Sequence, residues 1–197
     1  MADAKLADEK TLDILLRNAR SHGDFLDKPV GEADLRAAHE LMKWGPTTAN
    51  SQPGRILFLV SRESKERLKP ALSPVNVEKT LKAPAVALVA YDTRFFEHLP
   101  RLYHNPDAIN WYSPPDKAGI NGFRNGTLQG AYLILALRAV GLDCGPMSGF
   151  DNAKVDAAFF PDGRFKSNFL INIGYGSGKG MPPRGPRFSF DEQCRIL

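Results

Sequence analysis

Cysteine is scarce in this sequence. Cys144 and Cys194 are the two that occur in 197 residues, with no CxxC pair and no Cys/His ligand spacing. That excludes a disulfide framework and a structural zinc site, and a reducing cytoplasm is the expected compartment. The four histidines, His22, His39, His98 and His104, show neither HxxxH nor HExxH, so no metal site is expected from them. Long apolar runs are missing as well. No stretch approaches the ~20 residues of a membrane span, and the opening "MADAKLADEKTLDILLRNARS" mixes charge with its apolar residues from the start, unlike a secretory signal. Charge of one sign is in small excess: 26 Lys and Arg against 22 Asp and Glu. Without basic clusters or an aromatic-interleaved basic stripe, a nucleic-acid partner is not expected, whereas an anionic small ligand is compatible. GxSxG is absent too, although "MSGF" puts Ser148 before a glycine.

What is present suits one domain over residues 1–197. A chain of this length buries roughly 70% of its unfolded surface, and no repeat, low-complexity segment or linker divides it. Leu12, Leu15, Leu16 and Ala19 at helical spacing predict an amphipathic helix over 7–21, and Leu35, Ala38, Leu41 and Met42 another over 32–44, stopped by "GP". "RILFLVS" (55–61) reads as a strand apolar on both faces, "SRESKERLK" as a surface helix, and 75–83 as a short helix. "PAVALVAYD" (84–92) reads as a buried strand. Residues 93–122, rich in aromatics, Pro and Asn, read as a long irregular functional segment. A helix over 123–140, apolar nearly all round from 128, asks to be buried in a core or against another subunit. "GLDCGPMSGFD" follows, then a helix over 152–160 and a strand over 167–176.

Two motifs invite chemistry and do not sustain it. "GYGSGKG" (174–180) misses the GxxxxGK[ST] spacing, and the following "MPPRGP" cannot open a helix, so it reads as a loop. Its basic neighbours Lys179, Arg184 and Arg187 remain within reach of a phosphate. Cys144 lacks an activating base nearby and reads as structural. There remains "PTTANSQP" (46–53), whose hydroxyls, carboxamides and prolines cannot continue a helix. Together with "NVEK" (76–79), "GPMSGFD" (145–151) and arginines near both chain ends, it suits either ordinary loops and caps or a polar heterocycle with a phosphate tail.

"LMKWGPTTAN", "EKTLKAP", "QGAYLILALRAVGLDCGPMSGFD" and "KSNFLINIGYG", in that order, carry a resemblance. The chain resembles the FMN-dependent nitroreductase family, and within it the branch containing the malonic semialdehyde reductase of the Rut pyrimidine-degradation pathway. The resemblance implies an α+β nitroreductase-like fold, a mostly antiparallel central sheet wrapped by helices, in an intertwined homodimer with FMN at the interface. It assigns Arg20 and Ser21 to the phosphate, and Thr47, Thr48, Asn50 and Gln52 to a flavin cradle reached partly from the partner. Asn76 and Lys79 go to the pyrimidine edge, and Pro146, Met147, Ser148 and Gly149 lie under the flavin with the Gly149 N–H toward N5. Arg187 is the carboxy-terminal phosphate arginine. "HGDF" replaces a further basic residue after Arg20, and Gly185 stands where relatives often have lysine, leaving Lys179 or Arg184 as substitutes.

The activity so implied is two-step hydride transfer from NADPH (or NADH) through FMN to malonic semialdehyde, giving 3-hydroxypropionate. Arg101 and Arg124 are candidates for the substrate carboxylate, with surface ion pairs as their other reading. A general nitroaromatic or quinone reductase on the same scaffold, and a flavin-binding protein without activity, are the alternatives.

Overall fold

The run "AVALVAYD" forms strand β2 (Ala85–Asp92) and is apolar from Ala85 to Ala90 because both its faces are covered there. Ala85, Ala87 and Val89 face one core cluster, while Val86, Leu88 and Ala90 face another. The computed structural model describes residues 6–197; residues 1–5, the start of the stretch read above for a leader, lie outside them. β2 pairs with β1 (Gly54–Leu59) on one side and β4 (Phe165–Gly174) on the other. β4 in turn pairs with β3 (Asp143–Met147), giving the order β1-β2-β4-β3 with every pairing antiparallel.

Helices cover both faces of this sheet. α2 (Glu32–Met42) and α7 (Pro115–Ala139) contribute Leu35, Ala38, Met42, Leu133, Ala136 and Leu137 to the first cluster. α3 (Arg62–Leu68), α4 (Pro74–Lys82) and α8 (Asn152–Phe159) close the second, through Leu68, Val77 and Val155 among others. Leu137, with no exposed surface, is the kind of residue whose truncation to alanine costs about 2–5 kcal/mol. The fold is thus the α+β arrangement expected, an antiparallel sheet wrapped by helices.

Four local expectations change. The first helix, α1 (Glu9–Leu12) with a π-helical continuation at Asp13–Arg17, ends four residues before 21. Beyond it the chain runs extended and Ser21 bridges Cys144, so tertiary pairing overrides the helical pattern. The irregular segment 93–122 contains α5 (Leu99–Leu102), α6 (Ala108–Tyr112) and the start of α7, whose Pro115 occupies a first-turn position where a missing N–H is harmless. β1 is an edge strand, not a doubly buried one: Leu59 alone among its residues is buried, and Leu57 and the following Val60 are exposed. Finally, "DCGPM" forms strand β3 despite Gly and Pro, which edge strands tolerate. A short helix, α9 (Phe190–Gln193), is the last element, followed by residues 194–197.

Candidate functional site

Segment 20–26 runs along the open side of β3 and the end of β4. The His22 N–H donates to the Cys144 carbonyl (2.9 Å), and the Leu26 N–H to that of Tyr175 (2.8 Å). Two glycines permit this approach. A Cβ on Gly145 would stand 2.2 Å from the His22 carbonyl oxygen, and one on Gly176 2.1 Å from His22 Nδ1, so any side chain there would push the segment away.

Where this segment, α4 and β3 meet lies a cavity of about 560 Å³ whose lining includes Ser21, Lys79, Lys82, Pro146 and Lys179. Lys82 is paired with Glu78 at 2.6 Å. Lys79 is half-buried and has no ion-pair partner among the described residues. Arg20 reaches the rim, donating to the carbonyl of Pro182, and Asp24, also at the rim, accepts from the Ser177 hydroxyl at 2.5 Å. The cavity is therefore lined by a hydroxyl, the ammonium groups of Lys79, Lys82 and Lys179 and the carboxylates of Asp24 and Glu78, with one guanidinium, that of Arg20, at its rim.

Asn76 and Lys79, three residues apart, share one face of α4. Buried Asn76 donates through Nδ2 to the Gly149 carbonyl (2.8 Å), which also accepts the Ser73 N–H (3.0 Å). The Gly149 N–H meets no acceptor among the described residues, while the carbonyls of the peptides on either side of this residue are both engaged, that of Ser148 by the Phe150 N–H and that of Gly149 by Asn76 and Ser73, so the residue is held on both sides with its donor free. A Cβ on Gly149 would lie 2.4 Å from Asn76 Nδ2. Met147 packs against the second core cluster, and its sulfur accepts weakly from Thr80 Oγ1 at 3.7 Å. Ser148 is exposed, its carbonyl taking the Phe150 N–H at 3.0 Å.

Thr47, Thr48, Asn50 and Gln52 stand elsewhere in the chain. Ala49, Asn50 and Gln52 have φ of 48°, 49° and 43°, a left-handed backbone that costs non-glycine residues roughly 1–2 kcal/mol each. The Thr48 N–H donates to Asn125 Oδ1 (2.8 Å) and the Gly54 N–H to Gln129 Oε1 (2.6 Å). Asn50 Nδ2 reaches the Leu102 carbonyl (3.0 Å), while Thr47 Oγ1 is taken by the Gln52 N–H (3.2 Å). Gln52 also lines a separate groove of about 850 Å³ between α2 and β1, beside Arg55, Ile56 and Gln129. Arg101 is exposed on α5 next to Leu102, and Arg124 is exposed beside Asn125.

Arg187 stays outside the cavity, its Nη1 3.0 Å from the carbonyls of Gly185 and Pro186. Of the two substitutes, Lys179 lines the cavity, whereas Arg184 donates to the Ala19 carbonyl (3.1 Å). Lys82 was not singled out from sequence, although its spacing from Lys79 places both on one helix face. His22, also unassigned, lines the cavity with its Nε2 3.4 Å from Asp143. Burial pushes the Cys144 thiol up to about 12, so it is protonated at neutral pH and plays the structural part expected of it.

Residues 16–175 match the profile of the Nitroreductase family. A protein of Xanthomonas oryzae pv. oryzae, provisionally named NADH dehydrogenase/NAD(P)H nitroreductase, is 56% identical over 186 residues, 94% of this chain and 95% of its own. Among solved structures, a provisionally named nitroreductase of Bacillus subtilis is similar at a TM-score of 0.88 and 24% identity, over 96% of this chain and 100% of its own. Another from Exiguobacterium sibiricum, provisionally named and in complex with FMN, gives 0.85 at 21% identity over 98% of each chain. At those identities the structural likeness is one of fold, while the sequence match extends nearly end to end: the chain belongs to the nitroreductase family.

Proposed function

We propose that the chain is an FMN-dependent oxidoreductase driven by NADPH (or NADH) and acting as a homodimer in the cytoplasm. The observation that carries this reading is Lys79, a half-buried ammonium with no ion-pair partner among the described residues, lining the cavity on the same helix face as Asn76, whose amide holds the Gly149 carbonyl. Bound FMN supplies a centre that accepts and returns hydride, gaining negative charge along its pyrimidine edge when reduced. Lys79 is suited to stabilise that charge as a fixed cation, and the Gly149 N–H to donate to the ring without reorganisation, because the Ser148 carbonyl of its own peptide already accepts the Phe150 N–H and Asn76 holds the next carbonyl. The donor chemistry of the cavity fits the phosphate too: Ser21 and Lys179 line it and Arg20 stands at its rim.

The loop residues Thr47, Thr48, Asn50 and Gln52 belong to this reading as the contribution of a second copy. Apolar surface supports a dimer. Trp44, Leu57, Val60, Phe188 and Phe190 are exposed, and such surface is ordinarily covered by a partner. Two free thiols suit the cytoplasm.

Within this class we propose malonic semialdehyde as the acceptor, on the motifs shared with that branch of the family. Its carboxylate calls for a cation, and Arg101 and Arg124, both exposed beside the 47–52 loop's anchoring groups, are available. The rival acceptors are nitroaromatics and quinones, of which the first accords with the word nitroreductase in the name of the Xanthomonas relative. The test is the visible spectrum of the purified protein under anaerobic conditions, before and after NADPH and again after malonic semialdehyde. Flavin bands that bleach and then return with the aldehyde are the expected result. Return with a nitroaromatic or quinone alone would transfer the assignment to the rival, and a protein that takes up no FMN would end the whole reading.

A further inference from the structure

Helix α7 carries two buried amides in its middle, Asn125 at 1% and Gln129 at 5% exposure. Each aims its oxygen at a backbone N–H of the loop, at Thr48 (2.8 Å) and at Gly54 (2.6 Å). The two bonds bracket the three left-handed residues, Ala49, Asn50 and Gln52. Asn125 Nδ2 donates to the Asn121 carbonyl (2.9 Å), which fixes the end of the amide turned to the loop. Gly54 lets Gln129 approach: a Cβ there would lie 2.7 Å from Oε1. Arg55 adds a third tie, Nη1 to the Gln52 carbonyl at 2.9 Å. Left-handed non-glycine residues persist where their surroundings over-determine them; here Ala49 and Asn50 stand on one side of a right-handed Ser51 and Gln52 on the other, and the bonds to α7 come from residues 75 to 77 positions away in sequence.

We propose that Asn125 and Gln129 are positioning residues: they hold the 47–52 loop in the strained shape that flavin binding requires. The inference rests on the flavin reading above and assigns these amides no contact with the cofactor. Their own oxygens are spent on the loop backbone, and the loop presents Thr48, Asn50 and Gln52 in one arrangement only while both bonds hold.

The test compares FMN affinity, by quenching of flavin fluorescence, with thermal unfolding of the apoprotein. Asn125→Leu and Gln129→Met should each weaken FMN about tenfold, the scale of a buried donor left without its acceptor. Gln129→Glu keeps an acceptor oxygen and should bind within about twofold of wild type. Ala49→Gly, which no longer resists a positive φ, should restore part of the affinity lost in Asn125→Leu. Unchanged affinity in both apolar variants would overturn the proposal. So would a loss in Gln129→Glu equal to that in Gln129→Met, since only a general packing role predicts it. If Asn125→Leu does not fold, the Glu–Met comparison at 129 decides by itself. Wild-type protein that binds no FMN would instead remove the flavin reading and this inference with it.

Discussion

Asn76, Lys79 and Gly149 stand on a regular helix and just past the end of a strand, whereas the 47–52 loop holds three left-handed residues and hangs from side chains of α7 and β1. The first group inherits its rigidity from the core, because α4 and β3 pack into the second cluster through Val77 and Met147. The second group has no ladder of its own and depends on a few polar ties. One of them leads to a buried ion network: Arg55 bonds Asp92 (3.0 Å), which also takes two bonds from Arg164 (3.1 Å each) and the Arg94 N–H (2.9 Å). The two groups proposed for the flavin site thus draw on core packing in one case and on polar over-determination in the other. The two halves should fail differently.

The largest effect is expected at the root of the loop half. Asp92→Asn leaves Arg55 and Arg164 facing each other without their shared carboxylate, and should cost about 3–5 kcal/mol in urea unfolding. Burial of Asp92 opposes its ionisation, but the Arg164 hydrogen bonds, the Arg94 N–H and the charges of Arg55 and Arg164 outweigh it and hold the carboxyl below its usual range. With the folded pKa below the unfolded ~3.9, this stability is present above about pH 4. It is lost as pH falls further, through the folded value. The gap in melting temperature between wild type and Asp92→Asn should therefore be widest near neutrality and shrink below pH 4; a constant gap would exclude the ionic origin.

Next comes the core-anchored half. Lys79→Met should slow flavin reduction by NADPH about 100-fold in stopped flow while leaving unfolding within about 0.5 kcal/mol of wild type, as for a substitution outside the core. A wild-type reduction rate would remove Lys79 from the site. Gly149→Ala forces a methyl against Asn76 and should cost about 1–3 kcal/mol as overpacking, with weaker FMN retention in the visible spectrum. Retained flavin at lowered stability would separate the clamp from binding. Smallest of all, Ala49→Gly should stabilise the protein by about 1 kcal/mol through relief of its positive φ. That corresponds to roughly 2–4 °C in melting temperature for a domain of this size, and a lower melting temperature would show that the loop carries no such strain.

Much of the scaffold was legible because its signals are local. The continuous apolar run of β2, the Leu35–Ala38–Met42 stripe of α2 and the short helices α4 and α8 fall within two residues of their expected bounds. The pairing of Asn76 with Lys79, drawn from the family resemblance, agrees with their helical spacing on α4. β3 was not legible, because "DCGPM" has little strand propensity and is recruited by β4 and by Ser21. Nor was the early end of the first helix, since nothing near residues 18–21 announces that Cys144 will claim them.

The sequence by itself determined the two-sided core, the helical wrapping and the chemical inventory of the site, because these depend on hydrophobic periodicity and on which side chains are present. Tertiary structure alone decided that Lys179 joins Lys79 while Arg184 and Arg187 do not, and that a glycine-free loop takes a left-handed path. The placing of Arg184 and the path of the loop both involve contacts between residues 75 to 165 positions apart. The energy that selects them resides in those distant partners, so no local pattern records it.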